Sequence, residues 1–224
     1  MSRLLAQLGL TPQVPVYRSY KQNPGKVRYY LRKRFPQIVE SAKKIGAEIY
    51  FADESRVRVD NHRGATWAPI GKTPIVEDSG DRFGINLISA VSAKGLMHFR
   101  CFEGYMNGER FIEFLCDLRN DAGRPIIVVV DGGSYHFSKE VVCFLAEHGE
   151  KKGTQLLKLP PYSPELNPDE QVWNQAKARI GKLFIDTKAA LKEAVQSVMI
   201  SIQKSKDLVK SFFQMKSTKY ANST

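Results

Sequence analysis

RPIIVVVDGG, residues 124–133, decides the fold class. Ile126 to Val130 is an unbroken β-branched run, with none of the polar alternation of a strand that has one wet face. Such a run reads as a strand buried on both sides, in a sheet covered by helices above and below. It stops on Asp131 and two glycines. In open α/β sheets the carboxyl edge of the strands is where ligands bind, so an acid placed there is a candidate functional residue.

The flanking segments fill in the sheet. AEIYFADES, 47–55, reads as a short strand ending on acids. RVRVDNHRGATWAPIG, 56–71, alternates polar and apolar residues like a half-buried strand. FGINLISAVSAKGLMHFRCFEG, 83–104, is two strands around a turn at Ala93-Lys94-Gly95, a hairpin. NGERFIEFLCDLRNDAG, 107–123, carries Phe111, Ile112, Phe114, Leu115 and Leu118 at helical spacing and stops at Gly123. HFSKEVVCFLAEHG is a helix, and TQLLKLPPYS opens as a short strand. Two further helices follow in PDEQVWNQAKARIGKLF and TKAALKEAVQSVMISIQKS. A meander followed by alternating strands and helices implies an α/β fold: a mixed sheet, an antiparallel three-strand meander plus parallel strands, flanked by helices. Ahead of it, Asn23-Pro24 starts a very basic helix, GKVRYYLRKRF, and Pro36 opens a second one, closed by Gly46.

Composition narrows the class. At 224 residues and 42% hydrophobic the chain can bury one good core with a small appendage. No apolar run approaches the roughly 18 residues of a membrane span, and the first residues are too interrupted for a secretory signal. The expected setting is therefore intracellular. Cys101, Cys116 and Cys143 form no metal-binding spacing and are expected to be reduced, mostly buried thiols. The net charge of +11 is unevenly spread: +9 on residues 1–45, +7 on 177–224, leaving −5 between them. Basic arms suit a polyanion such as DNA or RNA. An acidic centre between them makes sense if cations sit among the acids.

Asp53 and Asp131 both fall at the carboxyl ends of apolar runs. If the two strands are neighbours, their carboxylates lie close, repel, and call for a cation. A divalent ion that prefers oxygen ligands, such as Mg²⁺, is the natural partner. LPPYSPELNPDEQVWNQAK, 159–177, then stiffens the chain with prolines. Asn167 and Pro168 cap and open a helix, with Asp169 and Glu170 at its second and third positions. A third carboxylate is thereby held against the first two. Each acid alone has a plainer reading. Glu170 is an ordinary helix-start acid, favoured by the dipole, and Asp53 and Asp131 are turn residues. The three together shift the balance toward a site.

These segments resemble the DDE transposases of the mariner superfamily, in the branch found in bacterial insertion sequences. The matching pieces are AKKIGAEIYFADES around Asp53, RGATWAPIGKTP at 63–74, IIVVVDGGSYH around Asp131, and LPPYSPELNPDEQVWNQAK around Glu170. The resemblance implies a ribonuclease-H-like fold with Asp53, Asp131 and Glu170 as the catalytic acidic triad. These acids would hold two Mg²⁺ ions, with Mn²⁺ as a substitute. The implied chemistry is cleavage of double-stranded DNA at transposon ends and transfer of the 3′ hydroxyl into target DNA, at TA. It also implies a homodimer, since two ends must meet. Cytoplasmic localisation, with the nucleoid when DNA is bound, follows. Asp131 and Glu170 are separated by 38 residues, slightly more than is usual in the family. Relatives carry a helix-turn-helix domain ahead of this region, of which SRLLAQLGL matches only the last fragment. An upstream DNA-binding polypeptide is therefore a possible partner. The expected layout is a basic linker and domain remnant over 1–45, the catalytic domain over 46–186, and a basic helical segment over 187–224.

DNA contacts are expected from Arg28, Arg32, Lys33 and Arg34 on the basic helix, with Trp67 and His136 as further candidates. His136 has two other readings, orienting a metal ligand or capping a helix. Trp67 has the alternative of hairpin packing, and Trp173 is read as packing that fixes the Glu170 helix. Two rival functions remain: a ribonuclease-H-like nuclease without strand transfer, and a non-catalytic DNA-binding remnant.

Overall fold

The computed structural model describes residues 2–11, 19–59, 69–72 and 83–222. Trp67 lies outside them. Five strands form one sheet: β1 (Glu48–Arg58), β2 (Gly84–Val91), β3 (Met97–Phe102), β4 (Ile126–Val130) and β5 (Thr154–Lys158), in spatial order β3-β2-β1-β4-β5. The first three strands pair antiparallel, and β1–β4 and β4–β5 pair parallel. This is the expected ribonuclease-H-like mixed sheet.

Side-chain parity along β1 sorts the sheet into two cores. Ile49, Phe51, Val57 and Val59 join one hydrophobic cluster, while Tyr50 and Ala52 join the other. The second cluster is closed by α4 (Gly108–Ala122) and α5 (Lys139–Lys152) through Phe111, Phe114, Leu115, Leu118 and Val141. The first is closed by α6 (Glu170–Ile180), α7 (Lys188–Lys204) and α8 (Lys206–Ser211). The short amino-terminal helix α1 (Ser2–Gln7) leaves Leu4 and Leu5 exposed.

Three sequence expectations change. AEIYFADES does not end as a strand at its acids, because β1 runs on unbroken to Arg58. β2 offers a partner for every residue from Phe51 to Arg58, and Val57 keeps the buried face going. The two amino-terminal helices are also one continuous rod. α2 (Pro24–Tyr29) passes through a π-helical turn at Tyr30–Arg34 into α3 (Phe35–Ile45). Pro36 has no N–H to donate. The wider turn, in which the Phe35 N–H reaches back to the Tyr30 carbonyl, carries the helix past it. The carboxy-terminal helices, expected as a segment of their own, put Leu191, Val195, Met199, Val209 and Phe213 into the same cluster as the sheet. The rod does likewise with Tyr30, Phe35 and Ile38, and Phe35 and Phe51 stack with Tyr220.

Other local signals are met. Asn107 Oδ1 caps α4 by accepting from the Arg110 N–H, and Gly123 ends it in the left-handed conformation. The cysteines are free, but none is fully buried and Cys143 is exposed. Among the described residues no helix is long and apolar enough to cross a membrane.

Candidate active site

The parallel register pairs Phe51 with Val129. Two residues further along each chain come Asp53 and Asp131, so the register directs both acids to one sheet edge. In the antiparallel direction Asp53 pairs with Ser89. Parity turns both toward the face that α6 covers, and three hydrogen bonds fasten that helix there. Trp173 Nε1 donates to Asp53 Oδ2 at 3.0 Å. Ser89 Oγ donates to Asp169 Oδ2 at 2.7 Å. Asn167 Nδ2 donates to the Ala52 carbonyl at 3.1 Å. Asn167 Oδ1 also accepts from the Asp169 N–H at 3.1 Å, which sets the tight entry into α6. Glu170 is then the first residue of the helix. The proline-rich approach is braced from outside, where Gln22 Nε2 lies 3.0 Å from Ser163 Oγ and 2.7 Å from Glu165 Oε1.

On the opposite face, Glu54 points toward the turn after β4. His136 Nε2 sits 3.0 Å from Glu54 Oε1, and Nδ1 sits 3.2 Å from Asp131 Oδ1, off the line of a good hydrogen bond. The Gly133 N–H donates to the same Asp131 oxygen at 2.8 Å. His136 is 0% exposed and its ring packs on Phe111 and Tyr135. It has no surface to offer DNA, which corrects the expectation of a direct contact. It ties the Asp131 turn to β1 instead.

The electrostatics are those of crowded acids. Burial, then the charges of Glu170 and Glu54, push the Asp53 carboxyl up to about 8. Burial raises Glu170 too, with Asp131 adding to it and Lys177 opposing. The His136 contact is the largest cause of a lowered Asp131. Burial pulls the His136 imidazole down, but Asp131 and Glu54 more than offset it, leaving it at about 9. Asp169, 0% exposed, is pushed well above the usual range by burial and by Asp53. It is therefore a strut between β2 and α6 and not a rival to Glu170 for a ligand.

Glu170 thus lies within the field of Asp131, and Asp53 within the field of Glu170. They do not form a closed cage: among the described residues no three His, Cys, Asp or Glu side chains converge closely enough to share one ion. The donor set nevertheless fits a divalent cation in kind. All three are hard oxygen ligands, and the repulsion on Asp53 is what a cation would relieve.

Four participants escaped sequence reasoning in these roles: Glu54, Ser89, Asp169 and Trp173. Only Trp173 left a signal, one helical turn from Glu170. The basic residues Arg28, Arg32, Lys33 and Arg34 are exposed on the rod, as expected of a surface open to phosphates.

Comparison with solved structures gives the same fold. The chain is similar to the Mos1 strand transfer complex at a TM-score of 0.63 and 17% identity, covering 98% of this chain and 69% of that one. For the Mos1 mariner paired-end complex with Mn the values are 0.65, 14%, 98% and 70%. For the isolated catalytic domain of Mos1 mariner transposase they are 0.55, 13%, 93% and 98%. None of the curated proteins compared matches the chain in sequence. The family of DDE superfamily endonucleases, enzymes that use divalent metals, matches residues 48–192. With that match spanning well over half of the chain, from the first residue of β1 to the start of α7, the protein belongs to the DDE superfamily endonucleases.

Proposed function

We propose that this chain is the catalytic core of a transposase that cuts DNA at transposon ends and joins the freed 3′ hydroxyl to target DNA, at TA. The observation that carries the reading is the coupling of Asp53, Asp131 and Glu170 at one sheet edge of a DDE endonuclease. Asp53, Asp131 and Glu170 would together hold two Mg²⁺ ions, with Mn²⁺ as a substitute. When bound, such ions activate water or a 3′ hydroxyl and stabilise the leaving oxygen. The protein's own part is positional. Trp173 holds one Asp53 oxygen, His136 and Gly133 hold Asp131, and Asn167 fixes the start of α6 and so Glu170. Arg28, Arg32, Lys33 and Arg34 would meet the phosphates of double-stranded DNA, and a homodimer would bring two ends together, with an upstream DNA-binding polypeptide as a further partner. That the neighbouring structures include a Mos1 complex with a left transposon end supports DNA as the substrate.

The test is nicking of supercoiled plasmid with Mn²⁺, Mg²⁺ or chelator, beside Asp53→Asn, Asp131→Asn and Glu170→Gln. Metal-dependent nicking lost in each variant is expected, and activity persisting in all three sinks the assignment. A joining assay with a precut 3′ hydroxyl end separates a transposase from a nuclease that only cuts.

A further inference from the structure

A groove of about 550 Å³ lies between the amino-terminal rod and the chain leaving β5. Lys26, Tyr29 and Arg34 line it from the rod, and Lys158, Leu159 and Pro160 from the other side. No acid lines it, and neither of the rod's two cations, Lys26 and Arg34, makes an ion pair among the described residues. Its floor is firm, since Leu159 and Pro160 are buried. Its ring is unusual. Tyr29 is 61% exposed, whereas the adjacent Tyr30 is 4% exposed and packs on Phe35 and Tyr220. Core packing therefore accounts for Tyr30 and not for Tyr29.

The groove also abuts the acids. Lys158 is the register partner of Val130, the residue before Asp131, and the Leu159 N–H donates to the Val130 carbonyl at 2.8 Å. The Lys158 ammonium itself turns to the opposite sheet face, 3.7 Å from the centre of the Phe137 ring, so the groove's cations are those of the rod. The groove wall is thus continuous with the strand end that carries Asp131.

We propose that this groove binds single-stranded DNA, the strand unpaired beside the cut, with phosphates on Lys26 and Arg34 and a base stacked on Tyr29. A duplex hides its base faces and would meet only the cations. An unpaired nucleotide presents both a phosphate and a π-face, which is the pair of features the groove offers. The inference rests on the DNA-cutting function proposed above for the identity of the polymer, and its test is independent of cutting.

The experiment is fluorescence anisotropy of the full chain in chelator. A labelled oligodeoxythymidine is compared with a hairpin duplex carrying the same number of phosphates. Tyr29→Ala is expected to weaken single-strand binding about 5- to 150-fold, the range for losing one base stack, and to leave the duplex alone. Tyr29→Trp should keep the affinity. Lys26→Glu should weaken the single strand and flatten its salt dependence. Circular dichroism melts confirm that each variant is folded. Single-strand affinity unchanged in Tyr29→Ala overturns the proposal, as does an equal loss for duplex and single strand. Wild type that nicks plasmid while Tyr29→Ala still binds single strands sinks this inference alone. A chain that binds as described yet never nicks sinks the cutting function alone.

Discussion

His136 shows how much a single buried side chain can do for a site that it does not join. Its ring lies between carboxylates from different elements: Nε2 bonds Glu54 on β1, and Nδ1 makes a 3.2 Å charge contact with Asp131 after β4. Removing the ring should free the Asp131 turn and leave the site's acids less well placed. His136→Ala is therefore expected to raise the Mn²⁺ concentration for half-maximal nicking or to lower the rate, by about 10- to 100-fold, as is usual when a ligand's orienting partner is lost. His136→Gln, which keeps one donor, should recover part of that. An unchanged Mn²⁺ titration in His136→Ala would mean that Asp131 needs no such tether. Trp173→Phe is the parallel test on Asp53. It keeps most of the buried ring and deletes the N–H that meets Asp53 Oδ2. Nicking should fall while the melting temperature, limited to a hydrogen bond of about 1 kcal/mol, moves little. A large drop in melting with full activity per folded molecule would make the indole purely a core residue. The three acids were legible because each ends or starts an apolar or proline-stiffened stretch. Ser89 and Asp169 were not legible. Their bond spans 80 positions and exists only because the register sets Ser89 beside Asp53. A serine within INLISAV looks like any small residue in a strand.

The elements were easier to read where a residue has a backbone reason to be there. Asn107 and Gly123 bracket α4 where their chemistry says they should, and Gly95 closes the β2–β3 hairpin at φ 81°. Gly95 is constrained a second way. A Cβ there would sit 2.6 Å from the Lys206 carbonyl oxygen, at the start of α8. Gly95→Ala therefore combines a left-handed backbone with a clash against backbone that cannot swing aside. It is expected to lose about 1–3 kcal/mol, read as a lower urea midpoint with an unchanged slope. A midpoint equal to wild type would mean that α8 moves off the hairpin freely. What misled the reading was punctuation without context. Pro36 looks like a helix start, but a π turn ahead of it absorbs the missing donor. The acids of ADES look like a strand end, but β2 supplies partners for five more residues past Asp53.

The whole molecule sets its charge against its packing. Charge divides the chain into basic arms and an acidic middle, and it suggested a separate carboxy-terminal segment. Packing joins those ends into one core: Leu191, Val195 and Met199 recur every four residues along α7 and lie under the sheet. The amino-terminal rod and the carboxy-terminal helices thus belong to the same body that holds the acids. The price of this arrangement is a carboxyl buried beside two others: burial first, then the charges of Glu170 and Glu54, hold Asp53 at about 8. Functional acids kept in such a setting are expected to destabilise the metal-free fold. Asp53→Asn removes the ionisable carboxyl, whose charged form the metal-free site opposes, and keeps an acceptor for the Trp173 N–H. In chelator the variant should therefore melt at or above the wild-type temperature. Adding Mn²⁺ should raise the wild-type melting temperature as binding stabilises the folded state. The same addition should do little for Asp53→Asn, because one of the proposed ligands is gone. The two curves, taken by calorimetry with and without Mn²⁺, should therefore cross. If Mn²⁺ stabilises both proteins equally, Asp53 does not hold the ion. If Asp53→Asn melts well below wild type in chelator, the carboxylate serves the fold before it serves the chemistry.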